Sequence, residues 1–406
     1  MKAKIISVGD ELLIGKTVNT NLTLISKELR SIGIEVNSAS SVKDQEEAIF
    51  KTLKNSDESL VIFTGGLGPT RDDITKETVC KYYNLDLELN HETLTRIKNF
   101  FAKQNREMKD TNKKQAYFPK NAIVLSNNYG TAPGAIIQVD GKTIVMLPGP
   151  PSELIPMFRF VKDYLIERSD TTIYQSGYLV AGIGESEMES KMDCVYEKHP
   201  EVQIAPYADI ASIQYIFTSS NSKALERALD HFRKLFSEYI VGPYDKTLET
   251  RVVETLMAQN KTISFAESCT GGLLAAYLVN VPNVSKVFNE SYVLYSNGSK
   301  IKQLGINQMI IDKFGAVSKQ CVYELAYQLA QRTDTDIVLS VSGIAGPSGG
   351  TAVKPVGTVY FGLHHEGKTK TYSKIFAGDR NLIRKKATIY GLYLVLKALL
   401  HEDHHS

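Results

Sequence analysis

The chain has 406 residues, 43% hydrophobic and 23% charged, with a net charge of +2. That length predicts two or three domains, and the balance excludes disordered and fibrous classes and leaves no electrostatic footprint for nucleic acid. The four cysteines, Cys80, Cys194, Cys269 and Cys321, form no C-x-x-C pair, and no apolar run is long enough to span a bilayer, so a reducing, cytoplasmic setting without membrane attachment is expected.

In chain order, residues 1–168 alternate strand and helix: a strand over 5–8, helices over 20–30 and 45–54, and a strand over 60–64. This argues for a parallel sheet covered by helices. A polar helical stretch over 91–114 leads to two apolar runs, 135–139 and 143–147, that flank Asp140-Gly141 as a hairpin. Pro148-Gly149-Pro150-Pro151 forces a turn before a helix over 153–166. The polar Arg168-Ser169-Asp170-Thr171 reads as a linker, and residues 171–247 as a small α+β unit, KH-like in outline. Its glycines, Gly182-Ile183-Gly184, do not make the G-x-x-G clamp of a nucleic-acid-binding KH domain, so the unit is read as a spacer. Residues 248–406 return to α/β order, with strands over 262–265, 292–295 and 337–341, two more over 357–363 and 372–375, and a terminal helix over 380–400. His401 to Ser406 reads as a frayed tail. The fold class expected is therefore two α/β sandwich domains, 1–168 and 248–406, joined by the small α+β unit.

Two glycine-rich strand ends carry the chemistry. Glu267-Ser268-Cys269-Thr270-Gly271-Gly272 places Ser268 at the carboxyl edge of a sheet, where open α/β folds bind ligands and where helix-terminal amides can hold an anion or an oxyanion. The plainer alternative is an N-cap serine followed by glycines for close packing. Tyr295-Ser296-Asn297-Gly298-Ser299-Lys300 brings a lysine to a neighbouring loop, and a desolvated lysine can take the proton of a serine hydroxyl. Ser342-Gly343-Ile344-Ala345-Gly346-Pro347 and Gly378-Asp379-Arg380 add a phosphate-compatible loop and a cation, although Arg380 could equally serve an acidic neighbour.

The second strand end is Thr64-Gly65-Gly66-Leu67-Gly68-Pro69-Thr70-Arg71-Asp72-Asp73. Gly65, Gly66, Gly68 and Thr70 are candidate phosphate binders, and Asp72, Asp73, Asp44 and Asp10 candidate ligands of Mg2+ or Mn2+, with Glu11 and Glu153 as further carboxylates. Here too Asp72 and Asp73 could simply cap the helix that follows. The lysines and arginines over 96–120, Lys113-Lys114 among them, are interleaved with acids and read as a solvated face.

The motifs together resemble the CinA family from end to end. Ala266 to Gly272, Tyr295-Ser296-Asn297 with Lys300, Gly315-Ala316-Val317-Ser318, Gly343 to Pro347, Lys354 to Val359 and Gly378-Asp379-Arg380 are similar to its C-terminal domain. The 64–73 segment, Gly9 to Leu13, Asn19-Thr20-Asn21 and Leu147 to Glu153 resemble a MoaB/MogA-like molybdopterin-binding domain. The resemblance implies a nicotinamide-mononucleotide (NMN) deamidase without cofactor, with Ser268 as nucleophile and Lys300 as base. It places Thr270, Gly271, Gly272, Tyr295, Gly346 and Arg380 around the substrate. Cys269 is a rival nucleophile, ranked lower because no histidine partner is evident. For the N-terminal domain it implies a metal-dependent ADP-ribose pyrophosphatase, and Asn19 and Arg71 depart from the family pattern there. Small nucleotides are the expected partners and a homodimer the expected assembly. The alternative function is a non-catalytic nucleotide- or pterin-binding protein linked to competence or DNA damage.

Overall fold

The computed structural model describes residues 1–168 and 172–402, with side chains through residue 400. Three of the four expected linker positions, 169–171, and the tail over 403–406 lie outside the described residues; His401 and Glu402 belong to the last helix rather than to a tail. The chain divides once, between Ile173 and Tyr174.

In the first unit a six-stranded sheet is built from β1 (Lys2–Val8), β2 (Glu35–Val42), β3 (Leu60–Thr64), β6 (Ile123–Leu125), β7 (Gly134–Val139) and β8 (Lys142–Leu147), in the order β2-β1-β3-β8-β7-β6. The pairs β1–β2, β1–β3 and β3–β8 are parallel, whereas β7 returns antiparallel from β8 through the expected hairpin. β4 (Leu87–Leu89) and β5 (Tyr117–Pro119) form a separate two-stranded ribbon. Alternate strand residues feed two cores, as the period of 2 requires. Ile5, Leu60 and Ile62 pack under the helices Thr20–Ser31 and Pro151–Ile166, while Ile6, Val61 and Phe63 face the helices Glu46–Lys54 and Thr75–Tyr82. Leu60–Thr64 is buried throughout because helices cover both faces of the sheet there.

The second unit holds two sheets. β9 (Tyr174–Ala181), β10 (Gln203–Asp209), β11 (Ser212–Ser219) and β12 (Ile240–Pro243) form an antiparallel sheet in the order β10-β11-β9-β12, packed on the helices Glu185–Lys198 and Ser222–Phe236 around Tyr215, Phe217 and Phe232. β13 (Ile263–Glu267), β14 (Phe288–Val293), β15 (Ile337–Gly343), β16 (Thr358–His365) and β17 (Lys368–Ile375) form the second sheet in the order β14-β13-β15-β16-β17, of which the first three strands are parallel. Phe265, Leu339 and Phe361 face the helices Leu248–Ala258, Leu273–Val279 and Arg380–Glu402, and Ala266 and Val338 face the helix Lys319–Thr333. Leu179, Ala181 and Val241 of the small sheet belong to the same core as Phe265, so 174–247 and 248–402 fold as one compact unit.

Several elements depart from the sequence reading. The stretch 91–114 is broken into the helix His91–Lys103 and a 3-10 turn, Asp110–Ala116. The strand expected over 292–295 runs earlier, as β14, and Lys300 sits in a short helix, Asn297–Leu304, rather than on a loop. That helix starts where Ser296 Oγ accepts the Ser299 amide at 3.0 Å. The described cysteines are all free thiols.

Candidate active sites

The C-terminal site forms where β13 ends. The Ser268 amide still donates to Val341 O of β15, at 3.0 Å, and the chain then turns through Cys269–Gly272 into the helix Leu273–Val279. From the neighbouring helix the Lys300 side chain reaches across, and its Nζ donates to Ser268 Oγ at 3.1 Å, to Leu294 O at 2.7 Å and to Tyr295 O at 3.4 Å. Lys300 is 1% exposed and Ser268 8%. Burial holds the Lys300 amine below its ordinary value of 10.5, an effect opposed by the neighbouring Cys321 and Cys269 thiols.

Tyr295, Gly346 and Arg380 meet beside this pair. Arg380 donates through one guanidinium nitrogen to Gly346 O at 2.6 Å and through another to Tyr295 Oη at 2.6 Å. Thr270 is fully buried, and its hydroxyl is without a hydrogen-bond partner among the described residues. The amides expected to serve substrate at Gly271 and Gly272 are already engaged. Gly271 N–H donates to Ser268 O at 3.1 Å, and Gly272 N–H to Glu267 Oε2 at 2.9 Å. Cys269 belongs to the hydrophobic core, and burial pushes its thiol up to about 12, which removes it as a nucleophile near neutral pH. Sequence reasoning missed Arg384, one turn beyond Arg380, whose guanidinium donates to Cys269 O at 3.2 Å and Thr270 O at 2.7 Å.

The N-terminal site is a cleft of about 370 Å³ at the carboxyl edge of β1, β3 and β8. Gly65, Gly66, Gly68, Asp44, Asp72, Asp73, Glu11 and Glu153 line it. Gly65 is required at its position, since its φ is +94° and a Cβ would lie 2.1 Å from Val8 O. Three carboxylates occupy space that a side chain would fill: a Cβ on Gly9, Gly68 or Gly130 would meet Glu11, Asp73 or Glu153 oxygens at 2.6, 2.4 and 2.4 Å.

Two expected residues take other roles. The Asp10 side chain is exposed and does not line the cleft; its backbone amide donates to Asp44 Oδ2 at 3.2 Å, and Glu11 faces the cavity in its place. The Thr70 hydroxyl turns back onto Asp72 and, at 2.6 Å, Asp73, and its amide also donates to Asp73, so it is committed within its own loop. Asn19 caps the helix Thr20–Ser31 and donates to Ser7 Oγ at 2.8 Å. Arg71 is exposed and forms no ion pair among the described residues. Lys114, read as solvated, instead donates to Thr70 O and, at 2.7 Å, to Asp73 O, pinning the aspartate loop from below.

Asp44 is held above the usual carboxylate range, first by burial and then by repulsion from Glu11, Asp10 and Asp72, against the lowering effect of the Asp10 amide. Oxygen-only donors that repel one another fit a hard divalent cation. The fit lies in donor chemistry, because among the described residues no three such side chains already converge on one point.

These are two α/β units, each with a candidate site at the carboxyl edge of parallel strands. Residues 245–399 match the CinA C-terminal domain, and residues 4–168 match a family described as probable molybdopterin binding domain. The chain is 43% identical over 410 residues to a CinA-like protein of Dictyoglomus thermophilum, covering 99% of this chain and 100% of that one. It is also 43% identical over 409 residues to a CinA-like protein of Kosmotoga olearia, covering 98% and 99%. The chain belongs to the CinA family. A crystal structure of a competence-damaged protein (CinA) superfamily protein from Klebsiella pneumoniae is 32% identical, covering 38% of this chain and 96% of that one, with a TM-score of 0.37.

Proposed function

We propose that the C-terminal unit is an amidohydrolase in which Ser268 attacks and Lys300 moves the proton, with NMN as substrate. The observation that carries this reading is the buried 3.1 Å contact between Lys300 Nζ and Ser268 Oγ. A neutral lysine amine has two N–H donors and one lone pair. With its hydrogens on Leu294 O and Tyr295 O, the lone pair faces the serine hydroxyl, and the lowered basicity of the amine makes that form accessible. Ser268 Oγ then bonds to the amide carbon while Lys300 takes its proton. The C–N bond breaks with return of that proton to the departing ammonia, and water cleaves the acyl-serine by the same relay to release nicotinate mononucleotide. Glu267 holds the Gly272, Leu274 and Ala275 amides, and the Thr270 hydroxyl, which has no partner among the described residues, is a donor in this turn for the amide oxygen. Arg380, beside Tyr295 and Gly346, supplies the cation for the substrate phosphate.

For the N-terminal unit the reading is metal-dependent cleavage of ADP-ribose, supported by the carboxylate-lined cleft. Asp44, Glu11, Asp72, Asp73 and Glu153 would hold the cation, which when bound would neutralise diphosphate charge. Asn127 donates to Glu153 at 2.5 Å and Lys114 fixes the aspartate loop, so both hold carboxylates toward the cleft. The same reading takes the protein to be a cytoplasmic symmetric dimer, the common arrangement for soluble oligomers.

The experiment is a product assay on the purified chain: ammonia from NMN, and AMP from ADP-ribose with and without Mg2+ or Mn2+. Ser268→Ala is expected to fold and to release no ammonia; undiminished release would remove the dyad. Tight nucleotide or pterin binding without turnover under any metal condition would favour the non-catalytic alternative.

A further inference from the structure

We propose that Glu267 and Arg384 are positioning residues for the Ser268 nucleophile, a carboxylate and a guanidinium that grip the turn after it from its amide side and its carbonyl side. The inference rests on the reading of Ser268 as nucleophile. It concerns how a turn with little support of its own is held still.

The turn needs outside support because of its backbone. Gly271 and Gly272 adopt φ of +63° and +91°, two successive left-handed residues that neither continue the strand nor begin the helix. Within the turn one bond, Gly271 N–H to Ser268 O at 3.1 Å, closes the loop. Glu267 supplies the rest of the amide side. Its carboxylate is 0% exposed, and it accepts Gly272 N–H at 2.9 Å, Leu274 N–H at 3.1 Å, Ala275 N–H at 3.0 Å and the Ser291 hydroxyl at 3.1 Å. Four donors satisfy a buried carboxylate, and three of them are the amides that open the following helix.

Arg384 supplies the carbonyl side. Its Nε donates to Cys269 O at 3.2 Å and a terminal nitrogen donates to Thr270 O at 2.7 Å. Two carbonyls held by one planar fork fix two successive peptide planes. The residue comes from the terminal helix Arg380–Glu402, so the position of Ser268 is tied to an element far away in sequence. Between the two clamps every peptide from Cys269 to Gly272 has one polar group on a fixed charge or on Ser268 itself. A shift of about 1 Å would carry Ser268 Oγ beyond hydrogen-bond reach of Lys300, a displacement that typically lowers rate about 100-fold.

The test uses a probe that reports the nucleophile whatever the natural substrate is. A fluorescent fluorophosphonate reacts at an activated serine: the Oγ–P bond forms, the P–F bond breaks, fluoride leaves, and Lys300 takes the hydroxyl proton. Labelling of Ser268 is timed in the full-length wild-type chain and in the Glu267→Gln, Arg384→Met and Arg384→Lys variants, alongside thermal midpoints and NMN turnover. Glu267→Gln keeps the shape but puts an NH2 group against amide donors. Arg384→Lys keeps the charge and loses the fork.

The expected result is a labelling rate about 100-fold lower in Glu267→Gln and Arg384→Met, with part of it recovered in Arg384→Lys. If Glu267→Gln fails to fold, the two Arg384 variants carry the test. Lower thermal midpoints with unchanged labelling would assign both residues to structure alone and overturn the proposal. Labelled wild type without NMN turnover would sink the substrate reading and leave the clamp to be judged on the variants' rates. Wild type that is not labelled at Ser268 would overturn the dyad and the clamp together.

Discussion

Replacing Lys300 with methionine separates chemistry from stability. The side chain is almost entirely enclosed, so methionine fills nearly the same volume without a charge. Loss of a general base lowers turnover about 100- to 10,000-fold, equivalent to about 3–5 kcal/mol of barrier. Stability moves much less. The variant loses the 2.7 Å bond to Leu294 O and the longer ones to Ser268 Oγ and Tyr295 O, but it no longer buries an amine, and the two effects offset to within about 2 kcal/mol. The pH dependence has a definite sign. Because the folded-state pKa of Lys300 lies below 10.5, the unfolded chain binds more protons between those two values, so Lys300 weakens the fold below its own pKa. That penalty is relieved as pH rises toward 10.5. Wild type should therefore gain stability relative to Lys300→Met across that window. Its deamidation rate should rise with pH through the depressed pKa, and Lys300→Arg, permanently charged, should be inactive throughout. Ammonia release and thermal unfolding measured from neutral to alkaline pH supply both readouts. A Lys300→Met protein that keeps more than about a tenth of wild-type turnover would refute Lys300 as the base.

At the N-terminal cleft, Asp44→Asn is expected to raise the thermal midpoint without metal, because burial and carboxylate repulsion disfavour its charge in the fold. The same variant should lose the rise in midpoint that Mn2+ gives wild type; an undiminished metal-induced rise would remove Asp44 from the cation's contacts. Gly68→Ala places a Cβ 2.4 Å from an Asp73 oxygen and should displace that carboxylate, at about 1–3 kcal/mol and with loss of AMP formation from ADP-ribose. Calorimetry showing wild-type Mn2+ affinity in Gly68→Ala would refute this use of Asp73.

Legibility in the sequence followed the physics of each signal. Leu60–Thr64 was readable because a strand covered on both faces must be apolar along its length. β2, Glu-Val-Asn-Ser-Ala-Ser-Ser-Val, escaped because it is an edge strand, half-buried only at alternate positions, and small polar residues suffice there. The Ser268–Lys300 meeting was readable because parallel neighbours β13 and β14 bring their carboxyl ends together, whatever local structure follows. Glu267, Arg384 and Lys114 were not, since each serves backbone groups whose directions exist only after the turns have formed. Lys114 was also masked by its neighbour. Lys113 does pair with Asp110 in solvent, and the 3-10 turn rotates the next lysine under the aspartate loop.

Lys300 in one site and Asp44 in the other are shifted in opposite directions from ordinary values far apart, which gives a way to tell whether the two sites work independently. In the C-terminal site burial depresses an amine from 10.5, so the active base form grows in as pH rises through a value set by a lysine. In the N-terminal site burial and like charges raise a carboxylate from 3.8, so the metal-binding form grows in as pH rises through a value set by Asp44. Both activities should increase with pH, but the ADP-ribose activity should reach its plateau first, on the acid side of the deamidase rise. Measuring both reactions on one preparation across pH resolves this order. An ADP-ribose activity whose midpoint in wild type coincides with that of deamidation and moves upon Lys300→Met would mean that one ionisation governs the whole chain, and the assignment of separate titrating groups to the two sites would fail.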